Sequence, residues 1–509
     1  MEIMNFNKAN AVINGEKIEL SCADNGFCAR DVRVNISGSG EISICAAASP
    51  IGYVILECQG FDNALMLGGA WERSYGDLEW KRVCDKQMPW YFAAESDGRV
   101  YCFGVKTGAN AFCSWRCGEG KITLTIDIRN GSDEIVLNGR ELLACTVVSE
   151  EYDTDAFSAL TEFCKKMCDN PRLPNHPIYG GNDWYCNYGD NSAEKILHHA
   201  KRVAECAPKG GQKPYMVIDD GWELCHRDRD GAYFNGGPWR YCNDNFGDMK
   251  KLAEDMEAIG VIPGIWFRPL WTVESVPEEL ILKKDDIKIT LDPSVKATLD
   301  MVKRDVETIK NWGYKLIKHD FTTFDISGKW GFEMDLFGGE VHFADKTQTT
   351  AEIIKDLYMA IREAAGDDVL IMGCNTVGHL AAGIFDIQRT GDDTSGREWE
   401  RTKKYGINTL AYCMPQHNTF YCADADCVGI TNEVPWKKNQ KWLDVLSKSG
   451  TALFVSIAED AYSNEVKRGL TAAFEKAAKN TEPSVPSDRQ RTMLPKRWKS
   501  VFGIDEYEW

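Results

Sequence analysis

Aspartates directly follow apolar stretches at several points along the chain. The segment YMVIDDGW, residues 215–222, passes from four apolar or aromatic residues straight to Asp219 and Asp220. Because Asp-Gly pairs are common in turns, a turn is the simpler interpretation of this octapeptide alone. The alternative is a strand that ends at a pocket and presents hydrogen-bond acceptors to a polar ligand. The recurrence of the pattern elsewhere in the chain favours the pocket.

A lysine and an aspartate stand two residues apart in YKLIKHDF, residues 314–321. Side chains alternate along a strand, so Lys318 and Asp320 are expected to point to the same side. A neighbouring cation keeps a carboxylate ionised, and a nucleophile must be ionised. Asp320 is therefore a candidate nucleophile, and a structural ion pair between the two residues is the alternative.

Two further aspartates follow Arg389 in RTGDDT, residues 389–394. Asp393 is the candidate acid, although either Asp392 or Asp393 would also cap a helix that begins near Ser395. Carboxylates without histidine metal ligands favour acid–base and nucleophilic chemistry at a glycosidic bond. Clustered aspartates also bind Mg²⁺ or Ca²⁺. Because Lys318 and Arg389 would place positive charge beside such an ion, we expect no metal and no other cofactor.

Short apolar runs alternate with amphipathic helical patterns from about residue 177. We count eight strand candidates, most of them followed by a helix, which is the pattern of a parallel α/β barrel. A dinucleotide-binding fold is disfavoured because no G-x-G-x-x-G follows a strand. The carboxyl ends of barrel strands meet on one rim. The side chains expected there are Asp183, Trp184, Asp219, Asp220, Trp266, Lys318, Asp320, Cys374, Asn375, Arg389, Asp392, Asp393, Asp424 and Asp426.

Acidic residues at five strand ends favour a shared site over a set of unrelated turns. Asp219 and Asp220 are therefore expected to face a pocket. Flat apolar faces stack on the C–H bonds of sugars, and Trp184, Trp222 and Trp266 would supply such faces. Ordinary packing is the alternative for each of these tryptophans.

The chain is predicted to have four parts. Residues 1–150 contain short strands punctuated by Gly, Asn and Asp, which is typical of an antiparallel β-sandwich. Residues 151–176 form a helical linker with a Pro-rich end. The barrel covers 177–478, and 479–509 is a polar tail on the surface. The predicted fold class is thus α/β, a (β/α)8 TIM barrel preceded by an N-terminal β-sandwich domain.

Composition limits the partners. A net charge of −18 argues against nucleic acid and against anionic membranes, and it is compatible with a neutral carbohydrate. No apolar stretch reaches the ~20 residues that a membrane helix needs. The first residues lack the basic start and apolar core of an export signal. The 19 cysteines, which include no Cys-x-x-Cys pair, are therefore expected to be reduced structural thiols in the cytoplasm.

Six segments taken together resemble the α-galactosidase (melibiase) and raffinose-synthase family, glycoside hydrolase family 36. They are GGAWERSYGDLEW (68–80), WYCNYGDN (184–191), YMVIDDGW (215–222), GIWFRPLW (264–271), YKLIKHDF (314–321) and RTGDDT (389–394). The resemblance spans about residues 60–460. It implies that Asp320 is the nucleophile and that Asp393 is the general acid and then the general base. Double displacement with retention requires the two carboxyl groups to lie about 5–5.5 Å apart.

The resemblance also implies how the sugar is bound. Asp219 and Asp220 would accept hydrogen bonds from the 4- and 6-hydroxyls of galactose, and Lys318 and Arg389 would bind ring hydroxyls. Trp184 would wall the pocket. The Cys374–Asn375 pair would read the 2-hydroxyl. Trp71, from the β-domain, would close the site from above.

The chain departs from the family pattern in several places. His319 stands where the family usually has Trp, which predicts an altered pocket floor, and Asp392 adds a second carboxylate beside the acid. The family's C-terminal β-domain is essentially absent, so the oligomeric state, including a homo-oligomer, is left open. The first functional hypothesis is a retaining α-galactosidase acting on small α-galactosides. The alternatives are an enzyme for another sugar (α-N-acetylgalactosaminide or β-L-arabinopyranoside), a raffinose-synthase-type transglycosylase, and a non-catalytic sugar-binding protein.

Overall fold

The first part of the chain folds into short antiparallel strands. The computed structural model describes residues 4–82, 86–224, 235–285, 288–334 and 340–509. The strands of the first part are β1 (Lys8–Ile13), β2 (Glu16–Ala23), β3 (Gly26–Ala29), β4 (Val32–Ile36), β5 (Glu41–Ala46), β6 (Ile51–Gln59), β7 (Leu65–Gly68), β8 (Lys81–Arg82), β9 (Met88–Pro89), β10 (Tyr91–Ser96), β11 (Arg99–Val105), β12 (Phe112–Gly118), β13 (Lys121–Asp127) and β14 (Leu142–Tyr152).

These strands form one sheet in the order β8-β7-β10-β11-β14-β5-β4-β3-β2-β1-β6-β13-β12-β9. Buried and exposed residues alternate in strands such as β5, as expected for a sheet with one face on a core. The ring centre of Phe92 in β10 lies 5.8 Å from that of Trp115 in β12, although the two strands lie near opposite ends of the sheet. The sheet therefore curls over and encloses its core as a sandwich.

A single helix, α1 (Ala156–Met167), follows the sandwich. Asp155 caps it by accepting hydrogen bonds from the backbone N–H groups of Phe157 and Ser158. The helix buries Leu160, Phe163 and Met167. The chain then enters the barrel.

Eight parallel strands close into the barrel in chain order. They are β15 (Tyr179–Asn182), β16 (Tyr215–Ile218), β17 (Ile262–Phe267), β21 (Leu316–His319), β22 (Leu370–Gly373), β23 (Ile387–Arg389), β24 (Cys422–Ile430) and β25 (Ala452–Ile457). Between β17 and β21 lies a small sheet of β18 (Trp271–Thr272), β19 (Ile281–Asp285) and β20 (Lys288–Leu291). Strands buried on both faces require continuous apolar runs, which explains the sequence pattern.

Helices surround the barrel and fill its loops. They are α2 (Trp184–Asn187), α3 (Ala193–Cys206), α4 (Met249–Ile259), α5 (Lys296–Asn311), α6 (Thr322–Ser327), α7 (Thr350–Ala365), α8 (Gly378–Ala381), α9 (Trp399–Arg401), α10 (Thr409–Cys413), α11 (Trp436–Ser449) and α12 (Asn464–Ala477). A π-helix, Thr402–Asn408, joins α9 to α10. Single 3₁₀ turns cover Glu278–Leu280, Gly331–Glu333, Met414–Gln416 and Glu459–Ala461. The predicted fold class, a TIM barrel preceded by an antiparallel β-sandwich, is confirmed.

The end of the chain forms a fourth sheet, which is also small. It contains β26 (Val485–Pro486), β27 (Arg497–Ser500) and β28 (Gly503–Glu506). Trp498 is buried, and the Tyr507 hydroxyl donates to Asp444 of α11 over 2.7 Å. The segment predicted as a surface tail thus carries strands packed on the barrel. The division of the chain at residues 150, 176 and 478 remains a proposal. Within the described residues, no helix is both long and apolar enough to cross a membrane.

Candidate active site

Asp320 lies directly after β21, at the carboxyl end of the barrel. The Trp266 indole Nε1 donates to its Oδ2 over 3.1 Å. The backbone N–H groups of Phe321 and Asn375 donate to its Oδ1 over 2.8 and 3.1 Å. Trp266 belongs to β17 and Asn375 follows β22, so both neighbouring strands fix the orientation of the carboxylate.

The electrostatic surroundings keep Asp320 ionised. Burial alone would raise its pKa, because only 8% of the residue is exposed. The positive charges of Lys318 and Arg73 outweigh burial and lower the pKa to about 2. An oriented carboxylate that stays ionised at neutral pH is suited to act as a nucleophile.

Lys318 forms its salt bridge with Asp219 rather than with Asp320. Its Nζ lies 2.7 Å from Asp219 Oδ2, which also accepts a hydrogen bond of 2.6 Å from the Asn182 side chain. The backbone N–H of Asp219 donates to Asp183 Oδ1 over 2.7 Å. Burial raises the pKa of Asp183 to about 6. Asp219 is therefore held by β15 and β21 and faces the barrel interior.

Asp220 is buried at the same rim and has its own support. The Asn235 side chain donates to Asp220 Oδ2 over 3.0 Å, and Arg268 in turn donates to Asn235. The Arg268 Nε donates to Asp325 over 2.9 Å, so this arginine is itself fixed. The chain bends at Asp220 and Gly221, where Gly221 has φ +122° and a Cβ would lie 2.5 Å from Asn191 Oδ1. The Asp-Gly pair thus bends the chain at the same place where it presents acidic side chains to the rim.

Asp393 and Asp392 differ in their contacts. Asp393 Oδ1 lies 3.3 Å from Arg389 Nη2 and 3.8 Å from Arg73 Nη1. Asp392 binds Arg73 more closely, at 2.8 Å. Partial burial of its side chain, which is 39% exposed, and the neighbouring Asp426 and Asp392 raise the pKa of Asp393 against the opposing effect of both arginines. A raised pKa suits an acid that must hold its proton before donating it.

The capping role that was the alternative for these two aspartates is taken by Ser395. The Ser395 hydroxyl accepts hydrogen bonds from the backbone N–H groups of Arg397 and Glu398 over 2.9 and 3.1 Å. Ser395 therefore closes the turn that leads toward α9. Both aspartate side chains are directed to arginines instead.

Arg389 and Cys374 form the buried floor beside these acids. Arg389 Nη2 lies 3.1 Å from Asp426 Oδ2, and its Nη1 donates to Cys374 Sγ over 3.4 Å. Arg73 Nη1 donates to the same sulfur over 3.3 Å. Burial raises the pKa of the Cys374 thiol, which therefore stays neutral, and burial raises the pKa of Asp424 to about 6.

A loop of the sandwich reaches this rim and contributes two side chains that the sequence analysis did not assign. The backbone N–H of Ser74 donates to Thr390 O over 2.8 Å, and the N–H of Asp392 donates back to Ser74 O over 2.9 Å. This pairing places Glu72 and Arg73 beside the barrel. The sequence feature that could have identified them is the charged pair that directly follows Trp71 in a Gly-rich segment.

Glu72 joins the loop to Asn375. Asn375 Nδ2 donates to Glu72 Oε2 over 2.5 Å, and the backbone N–H of Gly331 donates to Oε1 over 3.0 Å. Asn375 Oδ1 accepts from the N–H of Phe324 over 3.0 Å. Burial raises the pKa of Glu72 to about 7. The Asn375 side chain, predicted to read a sugar hydroxyl, is thus engaged by the loop and by α6.

The predicted tryptophans differ in exposure. Trp184 is partly exposed at the start of α2, with its ring 5.6 Å from Tyr188. Trp266 is buried and contacts Asp320. Trp222 donates to the carbonyl of Trp266 over 2.9 Å and is a packing residue. Trp71 is 2% exposed, and its ring lies 5.4 Å from that of Trp90 in the sandwich.

The expectation that His319 forms part of the pocket floor is wrong. Its ring is completely buried, 5.7 Å from the ring of Tyr358 in α7 and 5.4 Å from that of Phe385. His319 hydrogen-bonds Thr322. Because strand side chains alternate, a residue between two inward-pointing ones faces the helix layer. Burial lowers its pKa to about 3, so the imidazole is neutral.

No protein-family model matches the sequence. Several solved structures do match. The α-galactosidase TtGalA from Thermus thermophilus, in complex with p-nitrophenyl α-D-galactopyranoside, has a TM-score of 0.62 and 16% identity, covering 98% of this chain and 99% of that one. A variant of the family 36 α-galactosidase AgaA from Geobacillus stearothermophilus, in complex with raffinose, has a TM-score of 0.61 and 13% identity, covering 94% and 77%. The chain therefore has the fold of glycoside hydrolase family 36.

Proposed function

We propose that this protein is a retaining α-galactosidase that hydrolyses terminal α-galactosyl residues of small α-galactosides. The observation that carries the proposal is the contrast between two carboxyl groups at one rim. Asp320 has its pKa lowered to about 2, whereas burial raises the pKa of Asp393. Two carboxyl groups driven apart in pKa are the usual basis for dividing nucleophile and acid. The α-galactosidase activity of the structural neighbours supports the same reading.

In the first step, Asp320 attacks the anomeric carbon and Asp393 donates its proton to the departing glycosidic oxygen. The galactosyl ester on Asp320 then forms while the alcohol leaves. In the second step, Asp393 takes a proton from water, and the resulting hydroxide displaces Asp320 to release galactose. Arg389 and Arg73 hold Asp393 in place through both steps.

Sugar recognition is assigned to the groups around Asp320. Asp219 and Asp220 would accept hydrogen bonds from the 4- and 6-hydroxyls, and Lys318, fixed by Asp219, would donate to a ring hydroxyl. The Cys374 thiol and Arg389 would contact the 2-hydroxyl side. Trp184, which is partly exposed, would wall the pocket.

The test is turnover of nitrophenyl α-galactoside, α-N-acetylgalactosaminide, β-L-arabinopyranoside and α-glucoside by wild type and variants. Asp320→Asn should abolish turnover. Asp393→Asn should slow methyl α-galactoside by about 10²–10⁴-fold and 2,4-dinitrophenyl α-galactoside much less, because the latter leaving group needs no proton.

Asp392→Asn is the matched control for the acid, because it removes the adjacent carboxylate. It should not reproduce this dependence on the leaving group. NMR should detect the α-anomer of galactose first if configuration is retained. First release of the β-anomer, or full activity of Asp320→Asn, would contradict the mechanism. Turnover of another glycoside alone would contradict the choice of sugar.

A further inference from the structure

Arg268 directly follows β17, at the carboxyl end of the barrel. It is buried, with only 5% of the residue exposed. Two aromatic rings contact its guanidinium: the ring centre of Trp271 lies 3.8 Å from Cζ, and that of Phe321 lies 4.1 Å from it. A planar guanidinium stacks favourably on aromatic faces. The two rings therefore hold the charged group of Arg268 in a defined position.

The hydrogen bonds of Arg268 are divided between a carboxylate and an amide. Its Nε donates to Asp325 Oδ2 over 2.9 Å, and its Nη2 donates to the other oxygen of this carboxylate. Its Nη1 donates to Asn235 Oδ1, and Asn235 Nδ2 donates to Asp220 Oδ2 over 3.0 Å. An arginine can only donate, so it accepts no other orientation of the Asn235 amide. The NH2 group of Asn235 is thereby directed to Asp220.

The small sheet beside β17 supports both members of this chain of contacts. Trp271, which contacts Arg268, belongs to β18, and β18 pairs with β20. The Trp271 carbonyl accepts a hydrogen bond of 2.7 Å from the backbone N–H of Gly237, two residues after Asn235. The segment that carries Asn235 is therefore fixed at the same place as the ring that contacts Arg268.

A purely structural role for Arg268 would be complete with its ion pair. The pair with Asp325 uses Nε and Nη2 and joins the end of β17 to α6. Because the guanidinium is a rigid fork, this bidentate pair also determines where the third nitrogen points. That nitrogen, Nη1, is directed to Asn235, a buried amide whose NH2 group contacts Asp220.

We propose that Arg268 is a positioning residue for substrate recognition and that it acts on Asp220 through Asn235. The inference rests on the proposed function, which assigns Asp220 to a hydroxyl of the galactosyl group. The Asn235 amide holds one oxygen of Asp220, and Arg268 holds the amide. Together they set the direction in which this carboxylate faces the sugar, without contact between Arg268 and the sugar.

The test measures kcat and KM for p-nitrophenyl α-galactoside in Arg268→Met and Asn235→Ala. Methionine keeps an apolar side chain against Trp271 and Phe321 but donates no hydrogen bond. Asn235→Ala leaves the arginine and its ion pair intact. Both variants should raise KM by about 5- to 100-fold and change kcat by less than about threefold, because sugar binding is weakened while both catalytic carboxyl groups stay in place.

Two comparisons separate positioning from folding. Arg362→Met removes another buried arginine, which pairs with Asp386 and donates to the carbonyl of Val369 just before β22. It should lower the unfolding midpoint without raising KM. In the second comparison, Arg268→Met is combined with Asp220→Ala. The double variant should stay within about twofold of Asp220→Ala alone in kcat/KM, because the arginine acts only through this carboxylate.

The outcomes separate this inference from the activity itself. An unchanged KM in Arg268→Met or in Asn235→Ala would overturn the inference and leave the galactosidase intact. Losses that multiply in the double variant would also overturn it, since independent effects are the result expected of a purely structural arginine. If the wild type turns over no α-galactoside, the proposed function fails and this inference fails with it.

Discussion

Replacing Arg73 with methionine tests whether the sandwich loop sets the ionisation of the two candidate catalytic carboxyl groups. The guanidinium lies 3.8 Å from Asp393 and 2.8 Å from Asp392, and its charge also helps to lower the pKa of Asp320. Methionine keeps most of the aliphatic stem and removes the charge. The loss of a nearby cation disfavours an ionised carboxylate, so the pKa of both Asp320 and Asp393 should rise.

The size of the shift follows from the distance and the exposure. Two unit charges about 4 Å apart interact by about 4 kcal/mol at an effective dielectric constant of about 20. The Asp393 side chain is 39% exposed, so solvent screens part of this interaction. The interaction lost in Arg73→Met is therefore below about 4 kcal/mol, and the pKa of Asp393 should rise.

The assay is the pH dependence of kcat/KM for p-nitrophenyl α-galactoside. The basic limb, where Asp393 loses its proton, should move to higher pH. The acidic limb reports protonation of Asp320, whose pKa is about 2 in the wild type. In Arg73→Met this limb should also move to higher pH. As the pH is lowered, the variant should therefore lose activity at a higher pH than the wild type.

Two controls separate charge from structure. Arg73→Lys keeps the positive charge and should leave both limbs close to the wild type. Arg401→Met removes a more exposed cation, 3.7 Å from Asp392, and should move the limbs less because solvent screens its charge. A folded Arg73→Met variant whose basic limb stays in place, or moves to lower pH, would refute the reasoning.

Two further predictions concern stability. Lys318→Met leaves Asp219 buried without its cation, so it should lower the free energy of unfolding by about 3–5 kcal/mol. Urea titrations measure this change, and an unchanged unfolding midpoint would contradict the buried pair. His319→Leu should lower the free energy of unfolding by about 1–3 kcal/mol, because the buried Thr322 hydroxyl loses its partner. The pH profile of kcat/KM of this variant should match the wild type above about pH 5, since a pKa of about 3 keeps His319 neutral. A shifted profile would indicate that His319 takes part in the site.

The fold and the strand-end residues could be predicted because both depend on local patterns. Eight apolar runs separated by helical segments predict a parallel barrel, and a barrel gathers its strand ends on one rim. In the structure Asp320 lies at that rim beside Trp266 and the Asn375 backbone. The direction of the His319 side chain could also be predicted. Side chains alternate along a strand, so His319 points away from the side that Lys318 and Asp320 share.

The partners of these residues could not be predicted, because they depend on contacts between distant parts of the chain. Lys318 pairs with Asp219 across 99 residues, although Asp320 is its nearer neighbour in sequence. Arg73 reaches Cys374 across 301 residues. Neither strand propensity nor helical period specifies which loop of one domain meets the rim of another. The pairing of Ser74 with the backbone after β23 and the hydrogen bond between Asn375 and Glu72 place that loop.

The sandwich loop offsets part of the negative charge that the aspartates bring to the rim of the barrel. Buried carboxylates are costly unless cations or donors accompany them. Arg389 is shared among Asp393, Asp424 and Asp426, so it neutralises only part of this acidic rim. Arg73 adds a buried cation at the point where Asp392 and Asp393 lie side by side. The loop of the sandwich thus supplies a cation beside the two adjacent carboxylates of the candidate site.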